Sequence, residues 1–358
     1  RVSAFLGVSA LHHDAAAAIV VNGQPVAAVQ EERLSGRKND PRLPTRAIAA
    51  CLALAGIEAG DLDGIVFYEN PYARFGRVLE GALRAFPRGV RAFGPACESI
   101  LGEKLWVLDA IAEHLGVERM RVGFVDHHLA HAASAFYASP FERAAILTVD
   151  GVGETVTTGL FLGEGERIEP IEALELPHSL GLVYAAVTAW LGFEVNEGEY
   201  KVMGLAAYGR PERTDAIERI VRLGSDGHFE VDPAYLAFYD DVQVGYSKAL
   251  VSLLGPPRSR TRSWDLQSEA DRVFADTAAS LQVVTERALV GLARRARRLT
   301  GATALGLAGG VALNCVANAR IAEEAGFERV FVQPAAGDAG GALGAAYAAA
   351  FARGARRS

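Results

Sequence analysis

The run Asp126-His127-His128-Leu129-Ala130-His131 gathers three imidazoles and a carboxylate in six residues. His127 and His131 are four apart, so on a helix they stack on one face about one turn apart. Two imidazoles at that spacing can chelate one metal ion. The competing reading is that these histidines cap and line a buried helix. Three histidines in five residues beside an aspartate favour a ligand cluster. Asp150 and Asp338 each stand beside a glycine. As ligands they would complete a set of two histidines and two carboxylates; as turn caps they would do no chemistry. Mixed imidazole and carboxylate donors suit Fe(II), Mn or Zn better than Ca or a thiolate-selected metal.

Elements on either side must hold these groups. Residues 121–125 read as a strand, and the alanine-rich run 132–138 reads as a helix. Residues 2–9, 15–21 and 25–30 read as three strands, with Asn22-Gly23 as a hairpin turn. The loop Ala10-Leu11-His12-His13-Asp14 joins the first two. The pattern restarts at 144–149, 157–162 and 168–176, with Asp150-Gly151-Val152-Gly153 as the matching loop. This strand and turn unit thus occurs twice, about 140 residues apart, with Asp14 and Asp150 in equivalent loops. The repeat predicts two similar lobes with a cleft between them.

The rest of the chain alternates in the same manner. Residues 44–57, 179–191 and 275–299 read as helices, 64–68 as a strand, and 71–118 as mostly helical. Residues 210–264 are polar and irregular, and are expected to form a surface insertion that shapes substrate choice. Near the end, a strand at 304–308 meets Gly309-Gly310 and a helix at 311–325. A strand at 329–333 then leads through Gly337-Asp338-Ala339-Gly340-Gly341 into a last alanine-rich helix. Glycine turns that open helices present free backbone N–H groups and suit phosphate or nucleotide binding.

Composition narrows the classes. The chain has 358 residues, half of them apolar and 22% charged, which suits a globular protein of two lobes. A net charge of −7 argues against a nucleic-acid partner. The basic run 294–298 reads as a solvated helix face. Cys51, Cys97 and Cys315 lie far apart without CxxC spacing, which fits a reducing cytoplasm rather than a disulfide framework. The apolar run 339–351 is too short to span a bilayer, so no membrane partner is expected. The chain begins without Met, so a trimmed start is expected.

Two glycine turns and two aspartate-bearing meander loops form the layout of the actin, hexokinase and Hsp70 superfamily, an α/β fold of two lobes. The resemblance then narrows. His13-Asp14-Ala15-Ala16, Glu31-Glu32-Arg33 with Arg37-Lys38, and the 126–132 run resemble the N-terminal region of O-carbamoyltransferases of the nodulation and antibiotic-tailoring family. So do Val149-Asp150-Gly151, Ser179-Leu180-Gly181-Leu182 with Tyr184, and Glu197-Gly198-Glu199-Tyr200-Lys201-Val202-Met203-Gly204-Leu205-Ala206. Ala308-Gly309-Gly310-Val311-Ala312-Leu313-Asn314 and Pro334-Ala335-Ala336-Gly337-Asp338 continue the likeness in family order.

The resemblance implies a metal, usually iron, bound by His127, His131, Asp150 and Asp338. It implies that a separate YrdC-like domain makes carbamoyladenylate from carbamoyl phosphate and ATP, and that this region transfers the carbamoyl group to a hydroxyl and releases AMP. The acceptor is expected to be a small natural product, such as an antibiotic or sugar moiety. The acceptor hydroxyl needs a base, and His13, followed by Asp14, is chosen over His12. Lys201, with Arg37 or Lys38, is expected to neutralise phosphate charge, and Gly151, Gly309, Gly310 and Asn314 to contact the nucleotide. The lobes are expected at 1–142 and 143–358, with the last helix packing back on the first lobe. The YrdC-like domain, expected beyond Ser358, would act in cis or in trans. A homodimer fits the resemblance, although no self-complementary stripe stands out. A tRNA threonylcarbamoyl-adenosine enzyme, a sugar kinase of the same superfamily and a non-catalytic nucleotide-binding partner are the competing readings.

Overall fold

A computed structural model describes residues 3–84, 101–237 and 245–357. Cys97, and parts of the segments read as 71–118 and 210–264, lie outside the described residues.

The opening meander is β1 (Ala4–Ser9), β2 (Ala16–Val21) and β3 (Gln24–Gln30), paired antiparallel. Asn22 and Gly23 hold φ of 50° and 81°, the left-handed pair that a tight two-residue hairpin requires. β4 (Gly64–Phe67) and β5 (Val122–Phe124) add in parallel on the β1 side, giving the order β3-β2-β1-β4-β5. The second meander is β6 (Arg143–Val149), β7 (Val156–Glu164) and β8 (Arg167–Glu175). A short hairpin, β9 (Val221–Leu223) with β10 (Phe229–Val231), stands apart. β11 (Ala304–Ala308) and β12 (Arg329–Val332) extend the second sheet in parallel from β6. Read from β8, that sheet runs β8-β7-β6-β11-β12, so both sheets consist of three antiparallel strands followed by two parallel ones. This duplicated order is the two-lobed α/β architecture of actin, hexokinase and Hsp70.

Helix α1 (Thr45–Ala55) covers β2 and β3, and α2 (Pro71–Arg84) follows β4. Helix α3 (His127–Phe136) carries the histidine run and packs on β6 and β11. It begins at His127, ahead of the start expected at residue 132. Helices α4 (Leu180–Trp190) and α5 (Glu199–Ala206) pack against α6 (Glu269–Thr300), which also contacts β6. The helix expected at 311–325 is instead a 3-10 turn, Gly310–Leu313, followed by α7 (Cys315–Glu324). The Asn314 side chain accepts from the Ala317 N–H and starts a new helix there.

The last helix, α8 (Asp338–Ala352), packs on β1 and β2 of the first sheet and against α3. The α3–α8 pair therefore crosses the sequence boundary near residue 142 and forms the seam between the lobes. Close approach there depends on residues without side chains. A Cβ on Gly7 would lie 1.9 Å from the Ala342 carbonyl oxygen, and one on Gly344 would lie 1.8 Å from that of Ala130.

Residues 210–264 are more regular than expected. They hold helices at Thr214–Ile220 and Lys248–Leu254 besides the β9–β10 hairpin. Ile217, Ile220, Phe229, Val231, Leu250 and Leu254 are buried in the core of the second lobe. Elements this short give no readable hydrophobic period within a polar stretch.

Candidate metal centre and its cleft

Strand β5 ends at Phe124, and α3 starts at His127. Their four-residue spacing brings His127 and His131 together on one face, with Nε2 atoms 3.0 Å apart. Asp150, in the loop after β6, places one oxygen 2.9 Å from each of those nitrogens. Asp338 is the first residue of α8, and its Oδ1 lies 3.8 Å from both nitrogens. Four residues from three parts of the chain thus converge, with all four chosen ligand atoms within 4.8 Å of one another.

The neighbourhood fixes each group. The other Asp150 oxygen accepts from the Gly151 N–H at 2.7 Å, so this glycine orients the carboxylate. Gly310 approaches the same oxygen so closely that a Cβ would lie 3.0 Å away. Asp338 Oδ2 accepts from the Tyr68 hydroxyl and meets His12 Nδ1, each at 3.1 Å. As the first residue of a helix, Asp338 also lies at the positive end of the α8 dipole. His128 faces the opposite way. Its Nε2–H donates to the Val156 carbonyl at 2.9 Å, and its Nδ1 accepts from Thr148 Oγ1 at 2.7 Å. Burial, with the charges of His127 and His131, pushes its pKa down to about 3 and keeps it neutral. Of the three histidines in the run, two face the site and one is structural.

Electrostatics follow from this crowding. Burial opposes ionisation of Asp150, but the His127 and His131 hydrogen bonds outweigh it and hold the carboxyl well below the usual range. Burial likewise opposes ionisation of Asp338, and the charge of His13 with the His12 hydrogen bond overcomes it. Burial lowers the pKa of His127, but the Asp150 hydrogen bond and the nearby carboxylates lift it to about 9.

The second polar loop reaches the same point. Leu11 and Asp14, which bracket the histidine pair, hold φ of 64° and 55°. His13 Nδ1 lies 2.8 Å from Asp14 Oδ2, and its Nε2 lies 4.0 Å from Asp338 Oδ2. Burial lowers the His13 pKa, yet the charge of Asp338 and the Asp14 hydrogen bond raise it to about 9.

Gly309 has φ of 91° and so tight a fit that a Cβ would meet the Val149 carbonyl at 2.2 Å. The Asn314 amide is already engaged, capping α7 and exchanging two hydrogen bonds of 2.9 Å with Gln282. Lys201 is exposed, with Nζ 5.7 Å from the Tyr200 ring centre, and stands outside the four-ligand cluster. Lys38 pairs with Glu197 at 3.5 Å, and Arg37 is exposed. Tyr68 went unnoticed in the sequence. Its signal is positional, because it directly follows the C-terminal end of parallel strand β4, where ligands of open α/β sheets gather.

The donor set suits a divalent cation. Three potential donor atoms crowd together at 2.9 to 3.0 Å. Adjacent ligands of an octahedral ion with bonds of about 2.1 Å are about 3.0 Å apart. Two imidazoles and a carboxylate are the donors of Fe(II) sites that keep open positions. Among the described residues, buried His127 Nδ1 and His131 Nδ1 have no hydrogen-bond partner, so both rings are oriented by what their Nε2 atoms face.

Known proteins bear on this arrangement. The family described as carbamoyltransferase N-terminus matches residues 4–347, and the chain belongs to it. A protein of Synechocystis sp. named only as uncharacterised is 46% identical over 349 residues, covering 95% of this chain and 56% of its own length. Nodulation protein NolNO of Sinorhizobium fredii is 36% identical over 340 residues, covering 93% of this chain and 46% of its own. The chain thus spans about half the length of these curated relatives. Among solved structures, component A of (R)-2-hydroxyglutaryl-CoA dehydratase from Acidaminococcus fermentans aligns with a TM-score of 0.47 at 15% identity, over 97% of this chain and 99% of that one. Among the described residues, no helix is long and apolar enough to cross a membrane.

Proposed function

We propose that this chain transfers a carbamoyl group from carbamoyladenylate to a hydroxyl of a small natural product and releases AMP. The observation that carries the reading is the convergence of His127, His131, Asp150 and Asp338 beside the His13–Asp14 pair. Those four residues would hold a divalent cation, Fe(II) by preference and otherwise Mn or Zn. Bound there, it would supply Lewis-acid charge for the oxygens of a mixed anhydride.

The chain's own groups account for the remaining chemistry. Asp14 orients His13 through Nδ1, and Nε2 would take the proton of the acceptor hydroxyl once His13, whose pKa is raised to about 9, has released its own. The acceptor oxygen bonds to the carbamoyl carbon, the carbon–oxygen bond to the phosphate breaks, and AMP departs with that electron pair. Gly151, Gly309 and Gly310 would lie against the nucleotide, although the Cβ positions of Gly309 and Gly310 are filled by Val149 and Asp150, so those two glycines also serve close packing of the loop. Lys201 would supply positive charge for the phosphate. Carbamoyladenylate would come from carbamoyl phosphate and ATP on a YrdC-like domain, in cis or in trans.

A transfer assay tests the reading. Iron-loaded chain, adenylate supplied by a YrdC-like domain and a panel of glycosylated acceptors should yield carbamoylated product by mass spectrometry. The His127→Ala/His131→Ala double variant should yield none, and His13→Ala should lower kcat by about 100-fold or more. Product formed equally by the double variant would refute the cation-dependent reading.

A further inference from the structure

Helix α3 starts without a local cap. Asp126 precedes it in extended conformation, yet its side chain makes no capping hydrogen bond. The free N–H of His127 is instead satisfied from 27 residues downstream. Glu154, a buried residue in the loop that begins at Asp150, accepts it at 3.0 Å through Oε1 and at 3.3 Å through Oε2. The same Oε1 also accepts from the Asn70 N–H at 2.7 Å, in the loop between β4 and α2. One carboxylate thus ties together the second meander loop, the ligand helix and the first sheet.

This loop touches the ligand directly. A Cβ on Gly153 would lie 2.9 Å from that of His127, and the Gly153 carbonyl accepts from Arg77 on α2. His127 and Asp150 therefore face each other across a short loop whose far end is fastened to the His127 backbone. A negative group at that place also suits the positive end of α3.

We propose that Glu154 is a positioning residue that sets the spacing between His127 and Asp150, and so the affinity of the site for a divalent cation. This rests on the cation reading of the four-ligand cluster. Groups that orient metal ligands typically contribute 10–100-fold in affinity. A glutamine at 154 can accept from both N–H groups through its one carbonyl oxygen, as Oε1 does now, whereas alanine accepts from neither.

The test is titration of the purified chain with Mn2+, followed by electron paramagnetic resonance, and with Co2+, followed by its visible absorption. Glu154→Ala should weaken Mn2+ binding about 10–100-fold and alter the Co2+ spectrum. Glu154→Gln should remain within a few-fold of the unmodified chain and keep its spectrum. Alanine and glutamine variants impaired alike would assign the effect to charge and overturn the proposal. An alanine variant with unchanged affinity and spectrum would overturn it too. If alanine abolishes folding, glutamine decides: near-normal affinity and spectrum support the positioning role, and a large loss in a folded variant overturns it. An unmodified chain that takes up neither metal would remove the cation reading itself, and this proposal with it.

Discussion

Replacing Gly344 by alanine would separate two helices that hold the proposed ligands. Gly344 lies on α8, and its added Cβ would sit 1.8 Å from the carbonyl oxygen of Ala130 on α3. A carbon–oxygen contact relaxes to about 3.3 Å, so the helices must part by about 1.5 Å. The obstacle is backbone and cannot rotate away. Overpacking of this kind costs about 1–3 kcal/mol, and the backbone clash puts this case near the upper end. The better helix propensity of alanine returns about 0.8–1 kcal/mol, which leaves a net loss of about 2 kcal/mol. The displacement has a second effect. Asp338 travels with α8, while His127 and His131 travel with α3. Metal–ligand bonds tolerate about 0.2 Å, so a shift of about 1.5 Å should weaken Mn2+ binding about 100-fold or more. Thermal melting and Mn2+ titration would read the two effects separately. Gly204→Ala is the control, because a Cβ there meets nothing within 4 Å and should stabilise α5 by up to about 1 kcal/mol. A Gly344→Ala chain that melts and binds Mn2+ like the unmodified one would refute the claim that this seam sets the ligand spacing.

Tyr68→Phe removes the hydroxyl that donates to Asp338 Oδ2 at 3.1 Å, and should weaken Mn2+ binding by about 10-fold in a titration. The ring stays packed, so the variant should melt close to the unmodified chain; a large drop in melting temperature would assign Tyr68 to the core instead. Burial pushes the Cys51 thiol up to about 11 from 9.0, and its hydrogen follows the Ala17 carbonyl. The folded thiol therefore resists ionisation that the unfolded chain allows, so its contribution is present below pH 9 and lost as pH rises towards 11. Melting temperature should fall less over that range in Cys51→Ala than in the unmodified chain, and equal falls would contradict the assignment. At pH 8, alkylation read by peptide mass spectrometry should label exposed Cys315 before buried Cys51.

Periodicity carried much of this molecule. The two meanders appear in the sequence because alternating apolar runs and glycine turns are local signals, and Asn22-Gly23 forms the turn that its residue types require. The His127 and His131 pair is legible for the same reason, since helical spacing alone brings the rings together. Partners that meet only through the tertiary fold left no such trace. Nothing near Glu154 marks it as the acceptor for the N–H of His127, and Asp126, the local residue suited to that task, does not perform it. Asn314 looked free to meet a nucleotide, yet a glutamine 32 residues upstream holds its amide. The hairpin and short helices within 210–264 were hidden because each is too short to show a period.

The proposed ligand set draws on both sheets, and this gives the seam a meaning that the separate residues lack. His127, His131 and Asp150 belong to a helix and a loop mounted on the second sheet. Asp338 starts a helix that packs on the first sheet, and His13 comes from a loop of that sheet. A cation shared among these groups would neutralise the carboxylates of Asp150 and Asp338, one from each side of the seam. Conversely, a change that opens the α3–α8 contact takes Asp338 away from the histidines. The alanine and glycine composition of α8 thus acts on the chemistry as well as on packing. Its small residues at Ala342 and Gly344 let the helix approach β1 and α3 closely, and so bring residues from two sheets to one point.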